Sequence, residues 1–224
     1  MSFFTGCAPL TQSSDLYVDA LQYKRLNETN KAVEALDKAV KLDDKFSPAY
    51  SMLGDVYKQE KEYDKSAASY EKATVLNPWS LTDHVNLGET YEILEKFQNA
   101  ADAYVRACQI DPNYFQANLG AARSYYKMAD FPNAQTYGQK AEQIDPNISE
   151  LQQLLGNVYE SQQDHEPAIA SYKRALEIDS NNPQIMTSLA VAYLRTKRNE
   201  PAKELLSSVV LIQPDNVSAF KYLG

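Results

Sequence analysis

The stretch QIDPN at residues 109–113 returns letter for letter at residues 143–147, and its outline recurs as VLNPW at 75–79 and LIQPD at 211–215. Pro78, Pro112 and Pro146 are 34 residues apart, and Pro214 lies twice that distance further on, with Asp44 and Ser180 filling the remaining places in the register. Tyr23, Tyr57, Tyr91, Tyr125, Tyr159 and Tyr193 keep the same 34-residue ruler. A fixed period of this size is the mark of a stacked architecture in which each unit covers the apolar face of the one before. The chain divides into six full units, 13–46, 47–80, 81–114, 115–148, 149–182 and 183–216, and a partial seventh, 217–224, with residues 1–12 left as a tether or the remnant of a signal segment.

The apolar spacing inside a unit is helical. In the third unit Leu87, Tyr91 and Leu94 are four and three residues apart and share one face. A polar break, EKFQN at 95–99, precedes a second run in which Ala100, Ala103, Tyr104 and Ala107 recur at one-turn intervals. Pro132, Pro167 and Pro201 stand in the opening turn of second helices, where a missing N–H is harmless, and the later prolines stop those helices from continuing. Each unit reads as helix, turn, helix, stop. Unit position 8 is Ala20, Gly54, Gly88, Ala122, Gly156 and Ala190, and position 20 is Ala32, Ser66, Ala100, Ala134, Ala168 and Ala202. Small residues at these two places let the paired helices approach closely. Position 24 supplies bulk as Leu36, Tyr70, Tyr104, Tyr172 and Leu206, with Gly138 the exception.

On these residues the chain resembles the tetratricopeptide repeat, whose pattern has Leu-Gly, Tyr, Ala, an aromatic, Ala and Pro at the same places. The resemblance spans 13–224, with Asp19 in place of the usual leucine and Val209 in place of an alanine. It implies an all-α fold, a right-handed superhelical solenoid of antiparallel helix pairs, whose first helices line a concave groove. It also implies a non-catalytic scaffold that holds peptides or partner proteins.

Composition agrees. The net charge is −8 and the sequence pI about 4.9, which disfavours nucleic acid, since that binding rests on basic residues. No stretch reaches the ~20 apolar residues of a spanning helix. Cys7 and Cys108 are the only cysteines, so neither a disulfide framework nor a zinc spacing exists, and no metal or cofactor is expected. His84 reads as a packing residue and His165 as a turn residue, so no base stands ready for a nucleophile and no enzyme is expected.

By analogy with the family, positions 2, 5, 6, 9, 12 and 13 face the groove. The expected partner-binding residues are Asp55, Val85, Glu89, Glu92 and Ile93, then Leu119, Gly120, Arg123, Tyr126 and Lys127, and finally Asn157, Leu194 and Arg195. Such a mixed row suits an extended peptide carrying both charged and apolar side chains. The two-carboxylate clamp of chaperone-binding relatives needs lysine at position 5, which here is Tyr17, Ser51, Val85, Leu119, Gln153 and Thr187, so that clamp is absent. Gly120 suggests a pocket floor bordered by Arg123, Tyr126 and Lys127, against the plainer reading of drift in a degenerate unit, with Tyr137 refilling the gap at Gly138.

At the N-terminus Phe4-Thr5-Gly6-Cys7 resembles the processing box of bacterial lipoproteins, with Cys7 as the lipidation candidate and APLTQSS as the tether after it. Only six residues precede Cys7 and none is basic, short of a complete signal. Two placements therefore stay open: lipid-anchored or periplasmic in a bacterial cell envelope, as an assembly factor, or cytoplasmic, as a chaperone or adaptor. Membrane contact is expected only through a lipid on Cys7. Two further readings are the repeat arm of a larger enzyme such as a glycosyltransferase, and a homo-oligomer in which an exposed end fills a neighbour's groove.

Overall fold

The computed structural model describes residues 12–223. Thirteen helices account for most of them, and among the described residues there is no strand. The helices fall into two compact units. The first holds α1 (Gln12–Arg25), α2 (Thr29–Leu42), α3 (Ser47–Gln59), α4 (Tyr63–Leu76), α5 (Leu81–Ile93) and α6 (Phe97–Ile110). The second holds α7 (Phe115–Lys127), α8 (Phe131–Ile144), α9 (Ser149–Ser161), α10 (His165–Ile178), α11 (Pro183–Arg195), α12 (Asn199–Ile212) and α13 (Val217–Leu223). Within each unit every helix packs on the next, so both are all-α solenoid stacks of helix pairs, as the spacing predicts. The segment 1–12, apart from Gln12, lies outside the described residues, and so does the lipidation candidate Cys7.

The turn between the two helices of a pair has one geometry six times over. Asn27, Lys61, Glu95, Ala129, Gln163 and Lys197 all adopt left-handed backbone, φ between 55° and 63°. All six occupy unit position 15. In each turn the following N–H donates to the carbonyl of the position-11 tyrosine, as from Glu28 to Tyr23 at 2.9 Å and from Arg198 to Tyr193 at 2.8 Å. This six-to-one bond is the Schellman helix stop, a place where glycine is usual and none of these six is glycine. Every pair thus carries a local backbone cost that its packing overrides.

That packing explains the small residues. The Tyr70 ring lies so close to Gly54 that an added Cβ would sit 2.6 Å from its Cδ1. Gly88 meets Tyr104 at 2.8 Å and Gly156 meets Tyr172 at 2.5 Å in the same way. Where position 24 is the slimmer Leu36 or Leu206, position 8 is alanine, Ala20 or Ala190, and all four are fully buried. The two positions form one lock whose parts trade volume. Gly138 departs from it, and the gap there is filled by Leu155 of α9, whose Cδ2 would lie 2.7 Å from a Cβ on Gly138. Tyr137 does not fill it. Its ring stacks on Tyr125 instead, centroids 5.7 Å apart, because a residue one place along the helix points to a different face.

The prolines between pairs bring a polar requirement. Proline ends the preceding helix, and its carbonyl is taken up by the position-4 side chain that follows. His84 Nε2 lies 3.1 Å from the Pro78 carbonyl, Asn118 Nδ2 donates to Pro112 at 3.0 Å, and Gln152 Nε2 donates to Pro146 at 3.1 Å. All three side chains are buried; the ring or amide nitrogen of each makes this bond, while Asn118 Oδ1 and Gln152 Oε1 have no hydrogen-bond partner among the described residues. His84 is therefore a loop anchor as well as a packing residue, and burial lowers its pKa below the ordinary histidine value despite the Pro78 bond.

Candidate functional site

Positions 9 and 12 of the first helices meet across neighbouring pairs. In the first unit Lys24 reaches Asp55 at 3.3 Å, and Lys58 pairs with Glu89. The position-24 tyrosines add a second partner from below: Tyr70 donates to Asp55 at 2.7 Å and Tyr104 to Glu92 at 2.7 Å. Burial first, and the Asp55 bond second, hold the Tyr70 hydroxyl protonated far above the usual phenol range. Asp55, Glu89 and Glu92 are thus committed within the chain. The lysine pairs are half-exposed and worth at most about 1 kcal/mol each, so a partner could displace them cheaply. Ile93 is exposed, whereas Val85 is 6% exposed and holds helices together rather than offering a contact.

The second unit presents a more open arrangement. Here α7, α9, α11 and α13 lie side by side as the first helices of successive pairs. A hollow of about 190 Å³ is bordered by Arg123, Tyr126 and Lys127 of α7 and by Gln153, Leu154 and Asn157 of α9. The three residues expected around a pocket at Gly120 do border one, but its floor comes from α9. Gly120 and Leu119 are buried in the packing of α7. A second hollow of about 320 Å³ adjoins the first through Tyr126 and Asn157 and runs on past Glu160, Thr187 and Val191 to Tyr222. Together they make a trough across α7, α9, α11 and α13.

Its chemistry is graded. At the α7 end Arg123 bonds Glu150 at 2.7 Å, and Lys127 is exposed. In the middle Tyr172 donates to Asn157 Oδ1 at 2.8 Å, which fixes the amide and leaves its Nδ2 donor without a hydrogen bond among the described residues. Beyond it Glu160 takes Arg195 at 2.6 Å and His165 at 2.9 Å, so Arg195 is spent on neutralising that acid, while Leu194 packs against the core. Sequence reasoning missed Glu160, Thr187 and Tyr222. Glu160 was within reach, since it occupies position 12 together with Glu92 and Tyr126. Tyr222 was not, because it belongs to the partial seventh unit, whose placement decides whether it reaches the trough.

Among the described residues no group of three or more His, Cys, Asp or Glu is arranged to hold a metal ion. No helix among them is long and apolar enough to cross a membrane.

Family profiles described as tetratricopeptide repeat match residues 20–46, 47–78 and 84–114, residues 119–183, and residues 159–223. The chain is a tetratricopeptide repeat protein. No match emerges among curated proteins. Among solved structures this repeat protein is similar to YrrB, described as a tetratricopeptide repeat protein with an unusual peptide-binding site, with 21% identity, a TM-score of 0.75 and coverage of 84% of this chain and 97% of that one. It is similar to MamA at 18% identity and TM-score 0.72, covering 75% and 92% of the two chains. It is also similar to pilF of Pseudomonas aeruginosa at 15% identity and TM-score 0.70, covering 94% and 96%. At these identities the likeness to the solved repeat proteins is one of fold.

Proposed function

We propose that the protein is a non-catalytic scaffold that holds an extended segment of a partner protein in the trough across α7, α9 and α11. The observation that carries this is the pair of adjoining hollows sharing Tyr126 and Asn157, with the Asn157 amide pre-oriented by Tyr172. A fixed donor beside an aromatic ring suits a peptide backbone with one apolar side chain, and a preformed trough adds little ordering cost. The fold shared with YrrB, a protein described by its peptide-binding site, favours the same reading. Peptides selected on the full chain from a random display library test it. Asn157→Ala and Tyr126→Ala should each weaken a selected peptide about five- to thirtyfold, the range for one hydrogen bond or one buried ring. Unchanged affinity in both variants would defeat it.

The finer placement is an assembly factor tethered to a bacterial envelope through Cys7. The Phe4-Thr5-Gly6-Cys7 pattern supports it, as does a fold shared with pilF and with PilW, described as a type IV pilus biogenesis factor. Intact mass of the natural protein decides it: lipidation would remove residues 1–6 and add acyl mass to Cys7. An unmodified chain retaining Met1 would favour the cytoplasmic adaptor.

A further inference from the structure

A second surface lies in the first unit, on the loop between α4 and α5. The six units provide their own comparison. Position 33 is Lys45, Asn113, Asn147, Asn181 and Asp215 in five of them, and Trp79 in the second. Position 29 is Lys41, Gln109, Gln143 and Glu177 in four, with Val75 in the second and Leu211 in the sixth. Only the second unit carries apolar side chains at both places, a tryptophan 78% exposed and a valine 73% exposed, whereas the sixth pairs its exposed Leu211 with the polar Asp215. Val75 and Trp79 stand over a cavity of about 540 Å³ whose wall includes Pro78, His84, Arg106 and Ile110, all within the first unit.

The loop is held, not loose. His84 Nε2 reaches the Pro78 carbonyl at 3.1 Å, and the Ser80 hydroxyl accepts from the Asp83 N–H at 3.3 Å, capping α5. Trp79 is therefore presented by a backbone fixed on both sides. Arg106 supplies the charge. Of the four other basic residues at its place in the repeat, Lys38, Lys72, Lys140 and Arg174, three are occupied: Lys72 lies over Tyr50, Lys140 over Tyr137, and Arg174 on Glu142 at 2.7 Å. Arg106 bonds only Gln109, at 3.0 Å, and forms no ion pair among the described residues. A guanidinium without a carboxylate, beside an uncovered indole, fits an acidic group next to an apolar or aromatic one.

We propose that the Val75–Trp79–Arg106 cavity is a second docking site, for a short protein segment in which a Glu or Asp neighbours a bulky apolar residue. It is separate from the trough of the second unit, so the chain would hold two segments at once.

The only tryptophan in the chain makes the test site-specific. The ¹H–¹⁵N indole resonance of Trp79 in the full chain would be followed during titration with acetyl-Glu-Phe-Glu-Leu-amide and, separately, acetyl-Lys-Phe-Lys-Leu-amide. The acidic peptide should shift the resonance to saturation, at a concentration roughly fivefold below the basic one, the ratio expected of one half-exposed ion pair. Arg106→Glu, a change at an exposed side chain, should reverse that preference. Three results would each overturn the proposal: no movement of the resonance at roughly 5 mM acidic peptide, equal titration by both peptides, or an unchanged preference in Arg106→Glu. Asn157→Ala should leave the indole titration as it is, so failure here is distinguishable from failure of the trough.

Discussion

Gly156→Ala is the sharpest probe of the lock between positions 8 and 24. In a helix interior the change should stabilise by about 1 kcal/mol, because alanine loses less backbone freedom than glycine. Here the new Cβ would fall 2.5 Å from Tyr172 Cε1 and 2.6 Å from Cδ1, about 1 Å inside ordinary contact. The ring cannot swing aside freely, since it is 2% exposed and its hydroxyl is held by Asn157. Overpacking of this kind costs about 1–3 kcal/mol, so the net effect is a loss of up to about 2 kcal/mol, where propensity alone predicts a gain. The chain contains its own remedy in Ala20 with Leu36 and Ala190 with Leu206. Tyr172→Leu alone should cost about 2–4 kcal/mol through lost volume and the lost Asn157 bond. Added to Gly156→Ala, it should cost less than the sum, with a coupling energy of about 1–3 kcal/mol, the overpacking relieved, in a double-mutant cycle. Urea denaturation followed by far-ultraviolet circular dichroism measures all four chains. A stabilised single variant, or a coupling below about 0.5 kcal/mol, would refute the lock.

Gly138→Ala should be at least about 1 kcal/mol less harmful than Gly156→Ala by the same assay, because the atom it meets is the flexible tip of Leu155 and not a pinned ring. Ala129→Gly should stabilise by about 0.5–1 kcal/mol, since relief of the left-handed backbone at φ 59° outweighs the added freedom of the unfolded chain; a lower urea midpoint would contradict this. The pKa of His84 is lowered by burial, so the unfolded chain takes up the proton first. Stability tied to this residue is full above about 6.5 and declines as pH falls through that value toward the folded one. His84→Gln, which copies the bond of Gln152 to Pro146, should keep neutral-pH stability and reduce the slope of thermal midpoint against pH in that window.

Most of the fold was legible because one rule is written six times. Helix pairs follow from apolar spacing, their stops from proline, and their close approach from the small residues at positions 8 and 20. The left-handed turns were not legible, since position 15 reads Asn, Lys, Glu, Ala, Gln and Lys, with no glycine to announce them. Packing over two helices enforces a backbone that local preference opposes. The site was only half legible. Register, read with the groove positions that the family resemblance implies, brought Arg123, Tyr126, Lys127 and Asn157 together. It could not tell that Asp55 and Glu89 would be met by Lys24 and Lys58, or that Val85 and Leu119 would be buried, because those outcomes depend on the pair next door. Trp79 stood out only when the six copies were set against one another at position 33.

Hydrogen–deuterium exchange of the full chain, with and without a saturating selected peptide, tests the scaffold reading most directly. Protection should gather on the α7 segment around 123–127, the α9 segment around 153–161 and the α11 segment around 184–191, and should be reduced in Asn157→Ala at the same peptide concentration. Protection confined to the second helices of the pairs, or none anywhere at saturation, would contradict it.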